Sequence, residues 1–132
     1  MLNYECTQLA DDELKKHVDV MMNQVSDYLS LSPESLLYYN IYLSIWELLL
    51  NIINHNKAGD HTVNVAVWWT EKEIFLQIKH EGGGFDWENC MACELPSDEH
   101  ARGRGLFLVS HVSKTFSFNS TGQIATVTFE RV

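Results

Sequence analysis

Residues 36–53 restrict the fold more than any other part of this chain. They form an almost unbroken apolar run, Leu-Leu-Tyr-Tyr-Asn-Ile-Tyr-Leu-Ser-Ile-Trp-Glu-Leu-Leu-Leu-Asn-Ile-Ile. The run is about as long as a bilayer span, but Asn40, Ser44, Glu47 and Asn51 interrupt it, and an acidic side chain at the centre of a membrane costs about 3 kcal/mol. The expectation is therefore a core helix of a globular domain, with no membrane association. At about 100° per residue, Asn40, Ser44, Glu47, Asn51 and His55 fall within an arc of roughly 80°. Leu36, Ile41, Leu43, Ile45, Trp46, Leu48, Leu49, Leu50, Ile52 and Ile53 occupy the rest of the circumference. A polar stripe on such a helix faces either water or a polar cavity. Solvent faces are usually dense in long charged residues, whereas this stripe has one carboxylate and no Lys or Arg, which favours the cavity. A carboxylate one turn from a carboxamide also suits a general base beside a metal ligand.

Around this helix, 132 residues suffice for one core and not two, so residues 1–132 are read as a single domain. Nine basic and 18 acidic residues leave a net charge of −9, which repels a polyanion and argues against direct nucleic-acid binding. Cys6, Cys90 and Cys93 make an odd count in a chain large enough to fold without disulfides, and residues 1–16 lack the basic start and apolar run of a leader. Both features point to the cytoplasm.

Period and punctuation give the other elements. Residues 3–7 are an edge-strand candidate, and Asp11, Asp12 and Glu13 open a helix reaching about Leu29. Ser32 followed by Pro33 predicts the cap of the long helix, and Gly59 its far limit. Residues 62–70 and 73–80 alternate around a Glu71–Lys72 turn and form a hairpin; residues 115–119 and 123–130 form a second pair of strands, meeting at a turn containing Gly122. Residues 105–112 return to helical spacing. This order predicts an α+β, two-layer α/β sandwich: a mixed, mainly antiparallel sheet covered on one face by helices.

Residues 81–104 keep no period, and at that length a loop is usually functional. Two segments there carry chemistry. Gly82, Gly83 and Gly84 directly follow a strand and permit close ligand approach, although alone they read as a flexible turn. Arg102-Gly103-Arg104-Gly105 precedes the last helix, where free amide groups and the positive helix end suit phosphate oxygens; in isolation it reads equally as a helix entry with two solvated arginines. Cys90 and Cys93 have the spacing of a redox or metal pair, but no second pair accompanies them, so the spacing is read as accidental. Trp68 and Trp69, adjacent on a strand, must face opposite ways, leaving one exposed for a homodimer or partner contact unless another surface covers it.

Taken together, Glu47-Leu-Leu-Leu-Asn51-Ile-Ile-Asn-His55, Gly82-Gly83-Gly84-Phe85-Asp86 and Gly103-Arg104-Gly105-Leu106-Phe107-Leu108-Val109 resemble the N, G1 and G2 boxes of the GHKL ATP-binding superfamily. Within it the chain is most similar to bacterial anti-sigma factor serine/threonine kinases, over residues 33–132. The resemblance implies a histidine-kinase-like ATPase fold with ATP and Mg²⁺ as cofactors. It makes Asn51 the Mg²⁺ ligand and Glu47 the catalytic base acting on a serine or threonine hydroxyl. It has Gly103, Arg104 and Gly105, beside Arg102, hold the β- and γ-phosphates, Gly82 and Gly84 wrap the base, and residues 86–102 form a lid. His55 ends the N box. The implied partners are a STAS-domain antagonist, which the enzyme phosphorylates, and a sigma factor or similar regulator, which it sequesters.

One position departs from that pattern. The G1 box opens with an Asp that accepts the adenine amino group, and here His80 stands in its place. A neutral imidazole offers one acceptor nitrogen and no charge, so the resemblance implies altered or weakened adenine recognition. Alternation puts His80 on the face of Ile74, Leu76 and Ile78, turned toward the pocket if that face meets the helices, with Glu81 turned away. The alternative reading is a non-catalytic protein-binding regulator of the same fold with a degenerate nucleotide pocket.

Overall fold

The fold is that of a computed structural model describing residues 1–7, 9–55, 62–80, 101–120 and 123–131; for Asp11, His55 and residues 101–104 the backbone alone is described. Strand β1 (Leu2–Cys6) leads through a 3₁₀ turn (Asp11–Glu13) into helices α1 (Leu14–Leu29) and α2 (Leu36–His55). The hairpin β2 (Val63–Trp69) and β3 (Glu73–His80) follows, then helix α3 (Ala101–Val112) and strands β4 (Thr115–Phe118) and β5 (Ile124–Glu130). The five strands form one sheet in the order β1-β2-β3-β5-β4. Every described pairing is antiparallel, so the mixed sheet expected from the sequence is simpler than anticipated. The α1–α2 pair returns the chain to β1 from the opposite direction, so no parallel crossover arises among the described residues.

Register divides the sheet into two faces. Val63, Val65 and Val67 oppose His80, Ile78 and Leu76, and Ile74, Leu76 and Ile78 in turn oppose Phe129, Val127 and Ala125. All of these are buried beneath the helices. The face opposite carries Asn64, Ala66, Gln77 and Thr126. Trp68 lies on that face but is only partly exposed, because Phe75, its cross-strand neighbour, stacks on it at 5.5 Å with an interplanar angle of 5°. Trp69 is also part-buried, its ring 6.2 Å from that of Tyr28 on α1. The fully exposed Trp that would have offered a contact surface is thus not found: an aromatic pair shields the outward ring.

The helices bury one stripe each. Leu14, Val18, Met21, Met22, Val25 and Leu29 recur at helical spacing and are the buried residues of α1. Helix α2 lies between α1 and α3 and buries Ile41, Ile45, Leu48, Leu49 and Ile52. It is the one described helix long and apolar enough, by length and composition, to cross a membrane. Tyr42 ties α2 to α1, its hydroxyl donating to Asp19 at 3.0 Å while Lys15 donates to the same carboxylate at 2.6 Å.

The start of α2 differs from the sequence expectation. Residues Ser32 to Ser35 form a turn, with Ser35 N–H donating to Ser32 O at 3.0 Å, and the helix begins only at Leu36. Ser35 is therefore the cap: its Oγ accepts from Tyr38 N–H at 3.2 Å and donates to Ser32 O at 2.8 Å. Ser32 Oγ accepts from Glu34 N–H, inside the turn. Pro33 fixes a turn dihedral here and not a helical one, which moves the start three residues on. Replacing Ser35 by Ala should cost about 1 kcal/mol in urea denaturation, whereas Ser32→Ala should cost less than half as much.

Candidate functional site

The polar stripe of α2 does not face bulk water. Ser44 is fully buried, its Oγ donating to Asn40 O at 2.8 Å, and Asn51 is 6% exposed. Helix α3 packs along this side of α2. Where the two meet, Gly105 faces Glu47: a Cβ at position 105 would overlap Glu47 Oε2 and lie 3.2 Å from its Cδ. The carboxylate occupies space beside Gly105 that a side chain on α3 would enter, so a larger residue there would first have to turn the end of the Glu47 side chain aside. Burial pushes the Glu47 carboxyl pKa above its ordinary value. A half-buried carboxylate with a raised pKa, held at a helix–helix seam, has the character of a proton-accepting group.

One turn further along α2, Asn51 lines a narrow cleft, of about 10 Å³ and with room for little more than one water molecule, together with His80 and Gln123. Leu48, Ile52, Ile78, Ala125 and Phe118 supply its apolar walls. His80 is 4% exposed, on the inward face beside Ile78, as strand alternation predicts. Its backbone N–H donates to Gln123 O at 2.8 Å, which fixes the end of β3 against the start of β5. Its lining is apolar with three side chains able to donate or accept hydrogen bonds, but it must widen to admit a flat, polar-edged ring. Gln123 and Phe118 were not singled out from the sequence. The signal was available, because Gln123 shares parity with Ala125, Val127 and Phe129, and Phe118 with Phe116.

Four expected site residues thus have described positions for their side chains or, for glycine, the space a side chain would fill: Glu47 with Gly105 at the seam, and Asn51 with His80 in the cleft. His55 is the last residue of α2, one turn beyond Asn51. Helix α3 corrects the reading of the Arg102-Gly103-Arg104-Gly105 segment. The described helix spans Ala101–Val112, so residues 101–104 are already helical and the glycines lie within it. The N–H of Gly105 therefore lies inside the helical ladder. Glycine punctuation suggested a start at 105, but a helix tolerates glycine where packing demands it. The side chains of Arg102 and Arg104, together with Gly82, Gly84, Cys90, Cys93 and the lid expected up to residue 100, lie outside the described residues.

The chain belongs to the histidine kinase-like ATPase domain family, whose family model matches residues 12–130. Membership, within the GHKL superfamily, implies ATP binding, and the α+β sandwich described above is the fold of that family. No curated protein matches the chain.

The Glu47–Gly105 contact gives two measurable consequences. Gly105→Ala should shift stability by no more than about 1 kcal/mol, the helical preference for Ala offsetting the displacement of Glu47, and should be more stabilising when Glu47 is also Ala, a coupling that a double-mutant cycle in urea will read. The second concerns pH. Because folding raises the Glu47 pKa, the folded state holds its proton more tightly than the unfolded one, and the contribution to stability is complete below the ordinary carboxylate pKa. It is lost as pH rises from there through the raised value. Glu47→Gln should therefore gain stability relative to the parent between about pH 4 and about pH 7, as denaturation at the two pH values will show.

Proposed function

We propose that this domain is a Mg·ATP-dependent serine/threonine protein kinase of a partner-switching system, which phosphorylates a STAS-type antagonist and sequesters a sigma factor or similar regulator. The observation that carries the catalytic half of this reading is the Glu47 carboxylate held against Gly105, half-buried and raised in pKa, at the seam leading to the α3 N-terminus. The similarity of its three boxes to the anti-sigma kinases supports the choice of substrate and partners.

In this reading Mg·ATP supplies the transferable phosphoryl group, and the chain positions it. Asn51 offers a neutral carboxamide oxygen to Mg²⁺ from a buried site one turn from Glu47. The first-turn N–H groups of α3, at the positive end of its dipole, face phosphate oxygens, and Arg102, Arg104 and the neighbouring glycines add charge and room. The slot lined by Ile78, His80 and Ala125 widens to take the base. Glu47 receives the proton of the acceptor hydroxyl. Phosphoryl transfer is mostly positioning and charge neutralisation, so a domain of net charge −9 needs the metal and these donors to hold a polyphosphate.

A second reading, a binding regulator without effective nucleotide binding, is favoured by His80 alone, since its buried ring lacks the charge of a carboxylate. Calorimetry with Mg·ATP separates the two. The kinase reading expects saturable heat and transfer of labelled phosphate to a STAS partner, with Glu47→Ala cutting transfer by about 100-fold or more and affinity far less. No heat from the parent, with binding restored by His80→Asp, would establish the regulator instead. Transfer that survives Glu47→Ala would remove the carboxylate from the proton-accepting role.

A further inference from the structure

Strand β1 closes one side of the sheet, and among the described residues it pairs only with β2. Its outer edge therefore leaves alternate main-chain N–H and C=O groups without a strand partner. Sheets usually protect such an edge with proline, lysine, a bulge or a very short strand. Leu2-Asn3-Tyr4-Glu5-Cys6 contains no proline or lysine, and its register against Val67 to Val63 runs without a bulge. The other edge strand, β4, is shorter and has Lys114 at its entrance.

Apolar surface gathers along the same edge. Among the described residues five large apolar side chains are exposed, and three belong here: Met1 at 76%, Val20 at 39% and Tyr28 at 66%. On the flank of α1 beside β1, His17, Val20, Gln24 and Tyr28 recur at helical spacing. Tyr4 fixes the level of the two elements. Its hydroxyl is in hydrogen-bond contact with His17 Nδ1 at 2.8 Å, and with Leu2 it lines a narrow groove shared with Met21 and Gln24. Val20 thus stands beside the middle of β1. Tyr28, its ring 6.2 Å from that of Trp69, stands beside the start.

We propose that β1 pairs with β1 of a second copy of this chain, antiparallel about a two-fold axis at Tyr4, joining the two sheets into one. That axis sets Leu2 opposite Cys6 and Asn3 opposite Glu5 of the second copy, so each carboxylate meets a carboxamide. An axis at Glu5 would oppose the two glutamates, and one at Asn3 would leave Cys6 unpaired. About four to six main-chain hydrogen bonds form across the axis, according to which alternate set faces outward. An extended peptide could use the same edge, but Val20 and Tyr28 lie on α1, beyond a single strand. Covering them takes a partner that carries a helix beside its strand, as this chain does. The net charge of −9 on each copy opposes approach at long range, so association should tighten with salt. The cleft at β3 and β5 lies further across the sheet, and the inference rests on neither nucleotide binding nor phosphoryl transfer.

Sedimentation equilibrium of the full chain from about 1 to 200 μM should show a monomer–dimer equilibrium with a micromolar dissociation constant. Asn3→Glu places a glutamate opposite Glu5 of the second copy at two points and should weaken the dimer by about fivefold or more; Asn3→Lys should tighten it by a similar factor. Asn3 is exposed and opposes Ala66 in its own chain, so both variants should keep the circular dichroism spectrum of the parent. Val20→Asp should weaken the dimer by about tenfold. Alternate amides of residues 2–6 should exchange with deuterium more slowly as concentration rises. A monomer at 200 μM, Asn3 variants that fail to move the equilibrium in opposite directions, or β1 amides that exchange equally fast at low and high concentration would each overturn the inference.

Discussion

The site rests on one steric bargain between two helices. A glutamate side chain on α2 occupies the volume that a residue larger than glycine would claim at position 105 of α3. On the same face of α2, Ser44 and Asn51 are buried, and burial of Glu47 itself raises its carboxyl pKa. A larger residue at 105 is accommodated only if the Glu47 carboxylate moves. The seam thus joins packing and chemistry, since the same glutamate that meets α3 is the one whose partial burial raises its affinity for a proton.

Much of this was legible in the residues. Period-two alternation located both strands of the central hairpin almost to the residue, and it placed His80 inward with Ile78. The stripe Asn40-Ser44-Glu47-Asn51 was correctly read as turned away from water, since its lack of Lys and Arg has no other ready explanation. What failed was local punctuation. Ser32 and Ser35 are both plausible caps, and only the hydrogen bonds of the intervening turn decide between them. Glycine at 103 and 105 looked like a boundary, but both lie inside a helix, and at 105 the glycine lets Glu47 of α2 approach, a contact that one-dimensional spacing does not reveal.

The cleft at His80 shows the limit from another side. Its lining comes from α2, β3, β4 and β5, elements distant in sequence, and four of its apolar residues are ordinary core side chains by any local criterion. Parity along each strand identifies the inward positions, yet which of them border a space and which fill the core depends on the register between strands. Gln123 takes part because the chain re-enters the sheet beside the last residue of β3.

That junction has a mechanical consequence. The floor of the cleft is pinned on both sides, by β2 through Val63 and by β5 through the bond from His80 to Gln123, so its backbone belongs to the stiffest part of the molecule. The opposite flank is formed by α2 and, nearby, by the N-terminal end of α3, both helical. Adaptation to guests of different size then falls to the helical side, and the imidazole can discriminate among them only by turning its ring or changing its tautomer, never by shifting the strand that carries it.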